Sequence, residues 1–393
     1  MMKVIIFMKN INNNKYILPA YLSRYYDAYK EEFDLSIKEV LNSNTFILGN
    51  KVSIFESEYA KFCGSNFAVG VSDGTRALEL SLRIIKQKYN QELIIFVPVM
   101  TAIATAMAAI NVCNKENLIL IDVDKNNFNM SLHNLKTQFL DKKNKIKKNK
   151  FKFVCIFVAL YGSLKGIEEI SKFCKDNNIE IIIDSAQSHG AISAEKKLKS
   201  MSFTDYATFS FYPTKNLPAF GDGGAICLNN KEDYNLCLQL REYGWLPGKR
   251  NYSHIIGFNS RLDEIQAALL LVGLKYLNHR NEIRKKIATI YHSFFGCLQA
   301  RSSHYAYGCV FHQYVIETNN RDKFIEEAKK ENILLGIHYP FHIGQNPPFK
   351  SGTNFEADNL TSRIVSLPIS PEMNEDEIQL TQAKLQKSYE KLN

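Results

Sequence analysis

FSFYPTKNLPAFGDGGAI, residues 209–226, sets a lysine between an aromatic run and a glycine cluster. Lysine is almost never buried without a partner, and a surface lysine has no need of such neighbours. Pro213 and Thr214 constrain the turn that presents the Lys215 amine, while Gly221, Gly223 and Gly224 permit close backbone approach. An amine held in this way is suited to forming a covalent bond with a carbonyl group.

Two further stretches carry chemistry of their own. In VGVSDGTRALEL, 69–80, a strand ends, a Ser-Asp-Gly-Thr turn follows and a helix begins. Free amides and the positive end of the helix dipole then point out of the turn and form a phosphate cradle. Ser72 or Asp73 reads equally well as a plain helix N-cap, and the spaced glycine and Lys-Ser/Thr pair of a Walker loop are missing. In IEIIIDSAQSHGA, 179–191, Asp184 ends a strand apolar enough to lie inside a sheet. A buried carboxylate must be paired or hydrogen bonded; a cationic group on a ligand and a helix N-cap are the two candidate explanations. Should Lys215 form its covalent bond, the three stretches combine into one site. Gly74, Thr75 and Ser210 then hold a phosphate, Asp184 faces a ring nitrogen and Lys215 binds an aldehyde carbon, which are the requirements of pyridoxal phosphate.

Such residues need a scaffold that ends several strands at one edge. NFAVGV (66–71), ELIIFVPV (92–99), NLILIDVD (117–124), FVCIFVALYG (153–162) and IEIIIDSAQ (179–187) are short Ile- and Val-rich runs. Amphipathic stretches such as 75–85 and 167–178 lie between them. The alternation predicts a mostly parallel sheet covered by helices on both faces, with ligands beyond the carboxyl ends of the strands. Residues 261–287 read as one long helix bridging to a second, mixed region. There, 311–317 reads as a strand, 321–333 as a helix, and 334–340 and 364–370 as further strands. The 393 residues exceed what one core serves, so the expected division is a large domain, 1–275, and a smaller C-terminal α+β domain, 276–393.

Composition narrows the function classes. A hydrophobic fraction of 45% with 23% charged residues is that of a globular chain, neither disordered nor membrane-embedded. MMKVIIFMKN, 1–10, is too short an apolar run for a span and lacks a small-residue cleavage site, so a cytoplasmic protein is expected. The eight cysteines, Cys297 among them, form no CxxC pair and read as reduced, buried small hydrophobes. Much of the net charge of +9 sits in DKKNKIKKNKFKF, 141–153. That segment has no arginine or interleaved aromatics and reads as a solvated insertion rather than a nucleic-acid patch. No HExxH, paired-cysteine or clustered-carboxylate pattern suggests a metal.

From about residue 35 onward the chain resembles the pyridoxal phosphate-dependent sugar aminotransferases of the DegT type, with the fold type I architecture of aspartate aminotransferase. The resemblance runs through FILGNKVSIFESEYAKFCG (46–64), GVSDGTRALEL, ALYG (159–162), DSAQSHGA (184–191), the lysine stretch with its GDGG tail, GFNSRLDEIQAAL (257–269), GIHYPFH (336–342) and SLPISPEMNEDEI (366–378). It implies that Lys215 binds the cofactor and shuttles protons, that Asp184 pairs with the pyridinium nitrogen and that Gln187 contacts the ring's hydroxyl face. Gly74, Thr75, Arg76 and Ser210 would surround the phosphate. Asn259 matches the asparagine of a GxNxR pattern that reaches the phosphate of the neighbouring subunit, with Arg261 close by, which implies a homodimer with shared active sites. Arg261 and His338 would line the substrate cleft, although a lone histidine in an apolar strand is as often structural.

The reaction implied moves an amino group from an amino acid, glutamate by resemblance, to a 3- or 4-keto-6-deoxy sugar on a nucleotide diphosphate, in polysaccharide or glycoconjugate biosynthesis. One departure stands out: Ala102 in VPVMTAIAT occupies the position where the family commonly stacks an aromatic side chain on the pyridine ring. That leaves open the same chemistry on a small phosphorylated ketone or a cyclitol. A dehydratase of the same family would carry histidine at 215. A non-catalytic cofactor-binding regulator is the remaining alternative, for which neither end of the chain shows a helix-turn-helix pattern.

Overall fold

The computed structural model describes residues 16–146, 150–296 and 307–392. The apolar stretch 1–10, residues 147–149 of the lysine-rich segment and Cys297 lie outside the described residues. Helices α1 (Leu22–Ala28), α2 (Lys30–Ser43) and α3 (Asn50–Cys63) precede β1 (Phe67–Val71). There follow α4 (Gly74–Tyr89), β2 (Glu92–Pro98), α5 (Ile103–Ile110), β3 (Leu118–Ile121), α6 (Leu132–Lys145), β4 (Phe151–Val158), α7 (Ile167–Asp176) and β5 (Glu180–Asp184). Then come β6 (Tyr206–Ser210), β7 (Gly224–Leu228), α8 (Lys231–Arg241), the hairpin β8 (Trp245–Leu246) and β9 (Lys249–Ser253), and the long α9 (Glu264–Phe295). The chain closes with β10 (Tyr314–Glu317), α10 (Arg321–Lys330), α11 (Glu356–Arg363), β11 (Ile364–Leu367) and α12 (Glu375–Glu390).

Seven strands form one sheet in the order β1-β7-β6-β5-β4-β2-β3. Neighbours from β6 to β3 pair parallel, and β7 runs antiparallel to both β6 and β1. The strands are apolar on both faces because both faces are covered. Alternate residues of β2 and β4, Ile95 and Val97 with Val154 and Ile156, pack with Leu80 of α4 and Ala106 of α5. Their neighbours Ile94, Phe96, Cys155 and Phe157 pack with Phe139 of α6 and Ile170 of α7. Period-two alternation thus delivers each strand to two helical layers.

Helix α9 serves two cores. Leu270 and Leu277 pack with Phe55, Tyr59, Phe209 and Phe211 beside the large sheet. Farther along, Ile287, Tyr291 and Phe295 join Tyr314, Ile316, Phe324, Val365 and Leu385 in a second core that also takes in Leu18 and Tyr21. In this second region β10 and β11 pair antiparallel. The stretch 334–340, read from sequence as a strand, makes only a single bridge, Gly336 to Ser366. Tyr339 adopts a left-handed φ of 66° there, and Pro340 lacks the amide a ladder requires. Cys63, Cys113, Cys155, Cys174, Cys227, Cys237 and Cys309 are free and buried. Among the described residues no helix is long and apolar enough to cross a membrane, and no group of three or more His, Cys, Asp or Glu side chains is placed to hold a metal ion.

Candidate active site

The turn after β1 is built as its composition demands. Asp73 is extended and caps α4, its carboxylate accepting the Arg76 amide at 2.9 Å, while its carbonyl accepts the Ala77 amide. The cap reading is therefore correct, and it leaves the Gly74 and Thr75 amides without intrahelical partners. Gly74 lies directly against Ser210: a Cβ at position 74 would stand 2.7 Å from the serine Cβ. Strand β7 intervenes between β1 and β6, and only glycine at its start lets the turn close down. A Cβ at Gly224 would fall 2.5 Å from the Asp73 carbonyl. Because that neighbour is backbone, Gly224→Ala is expected to destabilise the fold by about 1–3 kcal/mol. Urea unfolding measures this, and an unchanged midpoint would contradict the contact.

Asp184 is buried at the end of β5. Its Oδ1 accepts the Ala186 amide at 3.1 Å and its Oδ2 the Thr105 hydroxyl at 3.2 Å. Burial raises its pKa, while the Ala186 amide, the Lys215 charge and Thr105 lower it. Lys215 is half-buried in the turn after β6, its amide bonded to the Tyr212 carbonyl at 2.8 Å. Burial lowers its pKa to about 8 against the opposing charge of Asp184. Amine and acid therefore share one interior, next to the cradle formed by Gly74, Thr75 and Ser210.

A depressed amine pKa has a directly measurable consequence. In the cofactor-free protein, the reactivity toward trinitrobenzenesulfonate that is lost in Lys215→Ala should rise through a midpoint near pH 8, since the neutral amine is the reacting form. A midpoint at the ordinary lysine value of 10.5 would count against a desolvated amine.

Gln187 is buried, accepting the Tyr161 amide at 2.7 Å and donating to the Tyr339 hydroxyl at 2.6 Å. His338 is half-buried, its Nδ1 2.8 Å from the Ser366 hydroxyl. Burial and the Lys215 charge lower its pKa to about 4. The histidine of GIHYP thus belongs to the same enclosure as the amine, with a structural partner as well. Arg76 is held away from it: its amide serves the cap, and its guanidinium bonds Glu79 at 2.8 Å and lies 4.2 Å over the Phe258 ring. Asn259 is exposed and Arg261 half-buried, the latter 5.9 Å over the Tyr243 ring. Ser260 between them bonds the Ser72 amide at 3.3 Å, tying that segment to the cradle turn.

Three residues not singled out from the sequence belong to this interior. His189 sits in the SHGA run, its Nε2 3.1 Å from the Ser210 carbonyl and its Nδ1 2.8 Å from the Tyr59 hydroxyl. A carbonyl only accepts, so Nε2 carries the proton and Nδ1 accepts from Tyr59. Burial holds its pKa down at about 3, which keeps it neutral. Tyr339 adjoins His338, and Thr105 lies one helical turn beyond Thr101. Ala102, the N-cap of α5, contributes no ring.

A phosphate cradle, an amine of lowered pKa and a buried carboxylate, all beyond the carboxyl ends of parallel strands, suit pyridoxal phosphate. Gly74, Thr75 and Ser210 would hold its phosphate, Asp184 its ring nitrogen and Lys215 its aldehyde carbon. When bound there it supplies an electron-withdrawing ring for reactions at an amine-bearing carbon. Fold and site together define a fold type I pyridoxal phosphate enzyme.

Comparison with known proteins narrows the class. The chain belongs to the DegT/DnrJ/EryC1/StrS aminotransferase family, whose model matches residues 27–386. It is 34% identical, over 89% of its length and 93% of the relative's, to a dTDP-3-amino-3,6-dideoxy-alpha-D-galactopyranose transaminase of Aneurinibacillus thermoaerophilus. It is 31% identical, over 94% and 97% respectively, to a pleiotropic regulatory protein of Geobacillus stearothermophilus. Among solved structures, DesV of S. venezuelae superposes with a TM-score of 0.83 at 26% identity, covering 95% of this chain and 98% of that one. The protein is a pyridoxal phosphate-dependent aminotransferase.

Proposed function

We propose that this aminotransferase moves an amino group from an amino acid, glutamate, to a 3- or 4-keto-6-deoxy sugar carried on a nucleotide diphosphate. The observation that carries the reading is the Lys215 amine, lowered toward neutrality and opposed by buried Asp184 next to the Ser210 and Gly74 cradle. A neutral lysine can take a proton from the donor's α-carbon and return one to the acceptor, as general acid–base catalysis requires. The substrate class is supported by the relative named for a dTDP-linked amino sugar. The product would serve polysaccharide or glycoconjugate synthesis in the cytoplasm.

The working unit in this reading is a homodimer in which exposed Asn259, with Arg261, reaches the neighbouring subunit's site. Residues 1–275 form the cofactor-binding domain and 276–393 the small domain, the chain crossing between them along α9. A panel of nucleotide-linked 3- and 4-keto sugars, offered with glutamate and followed by product mass, tests the assignment. Amination of a phosphorylated ketone or a cyclitol in preference would move it to the alternative that Ala102 leaves room for.

A further inference from the structure

Asp184 is not held by backbone alone. Thr105, fully buried on α5, donates its hydroxyl to Asp184 Oδ2 at 3.2 Å, and buried Thr101 stands 3.2 Å from the Thr105 hydroxyl. An ionised carboxylate only accepts, so the single Thr105 proton is committed to Asp184, and the hydroxyl between the two threonines must be the Thr101 donor. The pair lies on one face because the residues are four apart across the start of α5. Directly between them in sequence is Ala102, whose small side chain supplies no ring to this wall.

We propose that Thr105, supported by Thr101, is a positioning residue that fixes the Asp184 carboxylate in its ionised form and in the orientation that meets a pyridinium nitrogen. A buried carboxylate without such donors drifts toward its neutral form, and a neutral acid offers the ring no charge. Burial acts on Asp184 in that direction, while the Ala186 amide, Lys215 and Thr105 oppose it. Of the other titratable groups, Tyr339 faces Asp184 from the small domain, and its own ionisation is suppressed by burial. His189 and His338 are kept neutral by burial. Lys215 is therefore the only cation opposing the carboxylate in the cofactor-free site among the described residues, and condensation with an aldehyde would redirect it. The Thr105 and Ala186 donors stay in place through that change and hold the carboxylate toward the ring nitrogen.

The inference rests on Asp184 meeting the ring nitrogen, so the test carries Asp184→Asn as its reference. Apoenzyme is titrated with pyridoxal phosphate, following absorbance of the bound cofactor, for wild type, Thr105→Val, Thr105→Ala, Thr105→Ser and Asp184→Asn across pH. A hydroxyl donating to a charged group predicts a dissociation constant about 10-fold higher in Thr105→Val and Thr105→Ala. It also predicts near-wild-type binding in Thr105→Ser. The acid limb of the affinity profile should move to higher pH in the two variants lacking the hydroxyl, because the carboxylate protonates sooner. A packing role would instead leave Thr105→Val like wild type and weaken Thr105→Ala and Thr105→Ser alike, and that pattern overturns the proposal. Should Thr105→Val fail to fold, the comparison of Thr105→Ala with Thr105→Ser, both of which lack the methyl group, decides the question alone. If Asp184→Asn binds cofactor as wild type does, the pairing of Asp184 with the ring is what fails.

Discussion

Lys215→Ala is expected to lower amino transfer by about 10⁴-fold, the upper end of the range for a positioned proton-transfer group. The loss should be in turnover rather than in cofactor retention. The residues proposed to hold the phosphate, Gly74, Thr75 and Ser210, are independent of the amine, and the fold around position 215 is anchored by backbone bonds from Phe211 to Gly223 and from Ala219 to Phe211. The variant should therefore melt close to wild type and still take up pyridoxal phosphate, with the absorbance of the free aldehyde instead of that of a lysine-bound one. Single-turnover mixing with glutamate separates chemistry from binding. Ordinary turnover in Lys215→Ala would remove the lysine from the mechanism altogether.

The same stretch shows how far the sequence alone reaches. Strands β1 to β5 were legible because each is a short apolar run flanked by turn residues, and a strand covered on both faces has no polar alternation to misread. The start of α4 was equally legible, since Asp-Gly-Thr before an amphipathic run is cap chemistry and cradle chemistry at once. The reversal of β7 was not: GGAICL is apolar in either direction, and only its pairing with both β1 and β6 sets its sense. The irregular path of 334–340 was hidden for a related reason. Its Ile and Tyr residues favour a strand, whereas Tyr339 is pulled into a left-handed conformation while its hydroxyl bonds Gln187, 152 residues away.

Contacts of long sequence separation explain the rest of the site as well. Thr105 is 79 residues from Asp184 and His189 is 130 from Tyr59, so neither partnership leaves a local pattern. His189 had a signal, its place in the SHGA run a few residues after the strand-end acid. Arg76 illustrates the converse. Its neighbours in the turn point to phosphate, yet Glu79, three residues along the helix, captures the guanidinium locally, as i,i+3 pairs do.

Asp184→Asn is expected to have the second large effect, because it keeps the shape of the side chain and removes only its charge. Asparagine can still accept the Ala186 amide or the Thr105 hydroxyl through its oxygen, so the buried end of β5 should hold. What disappears is the negative charge proposed to keep a heterocycle nitrogen protonated. Breaking one buried charge pair costs about 3–5 kcal/mol, which in a barrier is about 10²- to 10⁴-fold in rate. The sign of the accompanying pH effect is fixed by the same physics. Burial raises the folded-state pKa of Asp184 above its ordinary value, so the unfolded chain releases that proton first as pH rises. Over the interval between the two pKa values the folded wild type holds the extra proton, and the stability of the cofactor-free protein falls as pH rises through it. Asparagine cannot titrate, so the cofactor-free variant should lose that dependence while being the less active enzyme when loaded. Thermal melts of both proteins without cofactor, from pH 4 to pH 8, paired with turnover of the loaded forms, give the two readouts. A variant with unimpaired turnover would mean that the ring nitrogen is protonated by some other group, and the site would have to be rebuilt around it.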